Sequence, residues 1–261
     1  MMGLKRRLSF LDLTAIVIGS IVGADIYVAS SLSAGLIGPL SMVAWVVAGL
    51  FAIVIALVFA YCSHYVPRVG GPFAFVSKAF DDFWGFMTGW SLWIAEMLAL
   101  AVFAIMFVSY LQFFIPLDFT LQVVIKFLFL FGLTAVNIFG VRAAGKVNDV
   151  LTLLKMLPLV ALVLAGIAFF ALNPSTLAGN YTPLAPLGFG GFGAAVVLIF
   201  WAFAGFELGT LPAAEVRDPR KTIPKAIITG MLVVMAFYLV TNFVVYGSVG
   251  WADLEIGRAH V

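Results

Sequence analysis

The sequence predicts an all-α polytopic membrane protein, and three observations carry that reading. The 261 residues are 64% hydrophobic, only 10% are charged, and the mean hydropathy is +1.18. Water-soluble chains average about 45–50% apolar and about 25% charged residues, so this chain lacks the polar atoms to cover a globule. Its apolar residues come in runs of roughly 20 or more, enough for a helix to cross a bilayer core about 30 Å thick, and their pattern is helical rather than alternating. The composition also excludes other classes. Cys62 is the single cysteine, so no disulfide scaffold can form within the chain. Fourteen basic against 12 acidic residues give +2 with no long basic run, which argues against nucleic acid as a partner. No metal-ligand cluster or nucleophile constellation is visible, so neither an enzyme nor a cofactor is expected.

Seven spans are predicted, at about 11–33, 41–64, 85–115, 119–140, 147–172, 193–213 and 226–249. The first is too long for a cleaved leader, contains Asp25, and is stopped at Gly38-Pro39. Span two ends before the turn-forming stretch Pro67 to Pro72, and span three at Pro116-Leu117-Asp118. Arg142 to Lys146 separates four from five, Asn173 to Gly193 five from six, and Asp218 to Pro224 six from seven. Lysine and arginine precede span one (Lys5, Arg6, Arg7) and recur at Arg68 and Lys78, at Arg142 and Lys146, and at Arg217, Arg220, Lys221 and Lys225. The connections after spans one, three and five contain none. This alternation predicts a cytoplasmic N-terminus in a prokaryotic-type inner membrane, with the bilayer as partner. Lys126 is expected to extend to the headgroups, and His64 reads as an interface residue. Glu96, in span three, either faces a polar interior or bonds a neighbour.

Two spans carry both glycine and a charge at their centres: Ile18-Gly-Ser-Ile-Val-Gly-Ala-Asp-Ile-Tyr27 and Trp201-Ala-Phe-Ala-Gly-Phe-Glu-Leu-Gly209. Glycine weakens a helix by roughly 1 kcal/mol against alanine, and a charge at mid-bilayer costs about 2.5–3.5 kcal/mol on insertion scales. Small-residue packing alone would account for Gly19 and Gly23. Glycine with a carboxylate in both helices points instead to paired discontinuous helices around a midplane binding site. Spans one and six are five apart, as a five-helix inverted repeat requires.

At these residues the chain resembles the amino acid–polyamine–organocation superfamily of permeases, from about Phe10 to Val249. Gly19 to Tyr27 is similar to the glycine-rich break of the family's first helix. Pro67 to Phe73 and Gly85 to Trp90 resemble the loop into helix three and its start. Asn137-Ile-Phe-Gly140, Lys155-Met-Leu-Pro158, Phe203 to Glu207 and Glu215 to Ala226 match helices four, five and six and the exit from six. The resemblance implies a LeuT-type fold of two inverted five-helix repeats, usually within twelve spans. A single transmembrane domain would then hold the first repeat at about 10–172 and the start of the second at about 193–250, truncated after about seven helices. The residues Ile256 to Val261 correspond to what the start of a widely used sequencing adapter encodes, so 255–261 reads as a non-native tail on an N-terminal fragment.

A free amino acid needs an anion-binding and a cation-binding end. Unwinding over Gly19, Ser20, Gly23 and Ala24 would expose N–H groups at a positive helix end to a carboxylate. Carbonyls freed at Phe203, Ala204 and Gly205 would face an ammonium. The resemblance implies the same roles, with an aromatic gate for which Trp201 or Phe203 is the candidate; lipid-facing bulk is the other reading. It also places Lys155 where sodium-driven relatives hold an ion. A lysine at that depth exchanges a proton because desolvation disfavours its charged form, so Lys155 and Glu207 are the expected proton-coupling residues. Asp25 departs from the family, which commonly has a small residue there. It would repel a substrate carboxylate unless turned away or protonated, and could instead pair with Lys155 or favour a cationic substrate. The expected function is a proton-coupled amino acid or amine permease; the alternative is a non-transporting membrane scaffold or partner subunit.

Overall fold

In lipid a backbone must satisfy its own hydrogen bonds, and long apolar runs do so as helices. The computed structural model describes residues 8–23, 25–138 and 141–256, except for the side chains of 137, 141–149, 152, 153, 255 and 256. Ala24 of the expected binding site, the cationic run Lys5 to Arg7 and residues 257–261 of the expected tail lie outside the described residues. The chain runs α1 (Phe10–Ile21), α2 (Asp25–Ile37), a 3₁₀ turn at Gly38–Leu40, α3 (Ser41–Tyr65), α4 (Pro72–Ala79), α5 (Asp82–Phe114) and α6 (Phe119–Ile138). There follow α7 (Val141–Leu172), α8 (Pro174–Asn180), α9 (Phe192–Trp201), a 3₁₀ segment at Phe206–Thr210, α10 (Pro219–Ser248) and α11 (Trp251–Ile256). The protein is an all-α, multi-pass membrane protein, as its composition predicts.

Among the described residues, six segments are long and apolar enough to cross a membrane: Asp25–Tyr65, Asp82–Phe114, Phe119–Val136, Leu154–Leu172, Phe192–Thr210 and Pro219–Ser248. Span one is not one helix but two, interrupted near its centre as the glycines and Asp25 predict. Its halves, α1 with 12 residues and α2 with 13, are each too short to cross alone at about 1.5 Å per residue. The predicted connection from Arg142 to Lys146 is helical, since α7 starts at Val141. Likewise α10 starts at Pro219, where proline at the first helical position loses no hydrogen bond.

The described residues form two packed units, one drawn from Met1–Gly85 and Met156–His260, the other mainly from Phe86–Lys155. In the second, Phe107 on α5 stacks on Phe129 of α6 with centroids 4.9 Å apart, and Glu96 is exposed on α5.

The first unit holds the breaks. Its α3 presents a buried stripe of Ala44, Ala48, Ala52, Ala56 and Ala60, four residues apart, and packs closely on α10. Val17 of α1 wedges between Gly209 and Gly230, whose added Cβ atoms would meet it at 2.5 and 2.6 Å. The entry to α1 is fixed by a capping box: the Ser9 N–H donates to Asp12 Oδ2 at 2.9 Å, and the Ser9 hydroxyl accepts from the Asp12 N–H. A parallel bridge then ties Leu8 to Val216, through Leu8 N–H to Glu215 O and Arg217 N–H to Leu8 O, both 3.0 Å. Pro224 brings no N–H to the Arg220 carbonyl four residues earlier. His64, at the end of α3, donates from Nδ1 to that oxygen at 3.0 Å.

Candidate functional site

The first break is shorter than the glycines suggest. Gly19 and Ser20 stay within α1, whose last bonded amide is Val22 N–H to Ile18 O at 2.9 Å. Val22 is extended, at φ −70° and ψ 106°, and α2 begins at Asp25. A single glycine in a packed helical turn costs about 1 kcal/mol, which the packing of Val17 and Ile21 outweighs. The second break is longer than predicted. After Trp201 the chain turns through 202–205, forms the 3₁₀ segment Phe206–Thr210, and stays in turns to 215.

The two breaks meet backbone to backbone. Gly205 adopts φ +115°, and a Cβ on it would stand 2.5 Å from Ser20 O and 3.2 Å from Ile21 N. The Ser20 hydroxyl lies 2.8 Å from Gly205 O and 2.9 Å from Val17 O, so one proton is shared between two acceptors. Glu207 turns back to accept the Gly205 N–H on Oε2 at 2.9 Å, and its own carbonyl takes the Thr210 hydroxyl at 2.6 Å. The Phe203 N–H bonds Phe200 O and the Ala204 N–H bonds Trp201 O. No hydrogen bond among the described residues reaches the carbonyls of Phe203 or Ala204. Ser20, Gly205 and Glu207 thus come together, with Gly23 and Asp25 a few residues along the same break.

The aromatic residues separate. Phe203 is fully buried, edge-on to Trp45 with centroids 5.8 Å apart and tilted on Tyr238 at 5.3 Å. Trp201 is 43% exposed at the end of α9, outside that cluster. Phe206, beyond Gly205, is buried edge-on to Phe59 at 5.3 Å. Lys155 is half-buried on α7 and belongs to the second unit.

A family profile described as Amino acid permease matches residues 8–259. The chain belongs to the amino acid permease family. Among relatives, the branched-chain amino acid permease BcaP of Bacillus subtilis is 30% identical over 96% of this chain and 56% of its own length. The serine/threonine exchanger SteT of the same organism is 26% identical, over 92% of this chain and 55% of that protein. A probable GABA permease of Pseudomonas aeruginosa is 27% identical, over 96% and 53%. The chain spans about half the length of the curated relatives it matches.

Within this permease-family chain, α10 carries residues that the sequence reading missed. Tyr238 is fully buried and donates its hydroxyl to Ile21 O at 3.1 Å, the carbonyl left without an i+4 amide where α1 ends. One turn on, Asn242 donates to Tyr238 O at 2.9 Å and accepts from the Ser30 hydroxyl of α2. Tyr246 donates to Ser30 O at 3.1 Å, receives the Trp45 Nε1–H at 3.1 Å and lies 3.1 Å from the Ser33 hydroxyl. One helix therefore splints both halves of broken helix one. The available signal was polar: an Asn, two Thr, a Ser and two Tyr in an otherwise apolar span, opposite Ser30 and Ser33.

Proposed function

We propose that this chain is part of a proton-coupled secondary transporter for amino acids or related amines, binding its substrate between the breaks of helices one and six. The observation that carries the reading is the backbone-on-backbone meeting at Ser20 and Gly205, beside the Phe203 and Ala204 carbonyls, which no hydrogen bond among the described residues reaches. Such carbonyls at interrupted helices suit an ammonium, and the start of α2 is the positive end of a half-helix. The relatives' names, a branched-chain amino acid permease, a serine/threonine exchanger and a GABA permease, support small amino-bearing substrates. In this reading Gly19, Ser20, Gly23, Ala24 and Asp25 line one side, and Phe203, Ala204 and Gly205 the other. Trp201 is the outer aromatic, the N-terminus is cytoplasmic, and residues 10–172 are the first of two inverted repeats within one transmembrane domain.

Uptake of radiolabelled leucine, serine and 4-aminobutyrate into reconstituted vesicles tests this. Accumulation driven by an imposed pH gradient supports the permease; absence of uptake for all three favours the scaffold reading. Lys155→Ala is expected to remove the dependence on the pH gradient while substrate binding stays measurable. An unchanged pH dependence removes Lys155 from the coupling role and leaves Glu207 as the candidate.

A further inference from the structure

One face of α10 is buried against α1 and α3 through Ile223, Ala226, Ile227, Gly230 and Val234. The opposite face carries Lys221, Lys225, Leu232, Ala236 and Val240, all exposed and each one or two helical turns from the last. In a multi-pass membrane protein an exposed apolar stripe of this kind meets acyl chains. The two lysines stand at its head, in the first two turns of the helix. From Lys225 to Ala236 the axis advances about 16 Å at about 1.5 Å per residue, close to half of a bilayer core about 30 Å thick. The face thus offers a cationic head followed by one leaflet's depth of apolar surface.

The depth of that head is fixed independently by α3. His64 donates from Nδ1 to Arg220 O at 3.0 Å, which holds the end of α3 beside the first turn of α10. The exposed rings of Tyr61 and Tyr65 pack together there, with centroids 4.8 Å apart, and tyrosines collect at the headgroup level of a bilayer. Charge at that level is unbalanced. Lys221 meets Asp218 at 3.7 Å in an exposed pair, and among the described residues no salt bridge reaches Arg220 or Lys225. Lys221 and Lys225, one turn apart, repel each other, and Lys221 lies at the helix end where the dipole is already positive. An anion placed between the lysines makes both interactions favourable. We propose that this face binds an anionic phospholipid, its phosphate on Lys221 and Lys225 and an acyl chain along Leu232 and Ala236. The lipid site is independent of where the substrate binds.

Delipidated protein in detergent is titrated with phosphatidylglycerol or phosphatidylcholine of identical chains, and bound lipid is counted by native mass spectrometry. Phosphatidylglycerol is expected to bind more tightly, by about fivefold per lysine. Lys221→Gln combined with Lys225→Gln is expected to erase that preference, and glutamine on an exposed helix face preserves the fold because its helix propensity is close to that of lysine. Lys78→Gln removes an exposed cation elsewhere in the chain and is expected to leave the preference intact. Equal binding of the two lipids, or a preference that survives in the double variant, overturns the proposal. An equal loss in Lys78→Gln also overturns it, by showing a general attraction to a cationic protein. Glycerol 3-phosphate competing as well as the whole lipid does the same, since the apolar stripe would then contribute nothing. So does a dimer that added lipid fails to dissociate and that shields the stripe, which would put a second copy of the chain there.

Discussion

Gly205→Val is expected to abolish transport and substrate binding, with a loss of at least a hundredfold, in protein that still inserts in the membrane. At φ +115° the backbone of Gly205 occupies a region that costs an L-residue roughly 1–2 kcal/mol, more for a branched side chain. Strain alone is not the main effect. The new Cβ would lie 2.5 Å from Ser20 O and 2.9 Å from Ser20 C, and these are backbone atoms that cannot swing aside. The breaks must then separate, which also breaks the contact of the Ser20 hydroxyl with Gly205 O. Gly188→Ala provides the control. Gly188 also has positive φ, at 72°, but a Cβ there meets nothing within 4 Å, so it carries strain without collision. Uptake close to unaltered in Gly188→Ala beside none in Gly205→Val assigns the effect to the meeting of the breaks. Equal losses in both would mean that backbone strain suffices and the apposition has no special role.

The sequence made the breaks legible because glycine and charge are each unfavourable in a membrane helix, and their coincidence in spans one and six stands out. Their extents were not legible. Gly19 looks like part of a break, yet it stays helical because the turn around it is packed by Val17 and Ile21. Beyond Gly205 the residues Phe206 to Thr210 are apolar enough to read as span, but Glu207 turns back to the Gly205 amide and the chain tightens into a 3₁₀ segment. Nor could the sequence show that Phe203 and Trp201, two residues apart, part company, one buried in a cluster and one 43% exposed. The role of α10 was hidden for a different reason. Tyr238, Asn242 and Tyr246, four residues apart, mark one polar face of the span, but a polar face does not say which helix it meets, and only the structure shows it turned to the two halves of helix one.

Trp45→Ala is expected to have the largest effect on stability of any single truncation in the first unit, about 3–5 kcal/mol. Trp45 is fully buried on α3, with its ring 5.8 Å from Phe203 and 5.6 Å from Tyr238, so it supports the side chain of one break and the tether of the other. Removing it leaves a cavity at the point where α3, α10 and the second break converge, and the alanine stripe of α3 offers no side chain large enough to fill it. Trp45→Phe separates packing from hydrogen bonding. It keeps most of the ring but loses the Nε1–H donated to Tyr246 at 3.1 Å. Because the Tyr246 hydroxyl still donates to Ser30 O and retains Ser33 beside it, that loss is expected to cost about 1 kcal/mol or less. Thermal unfolding in nanodiscs measures both variants. A large drop for alanine and a small one for phenylalanine would place the stability of the paired breaks in aromatic packing. Equal drops would place it in the Trp45–Tyr246–Ser30 bonds, and Phe203 would then be held by its own turn rather than by α3.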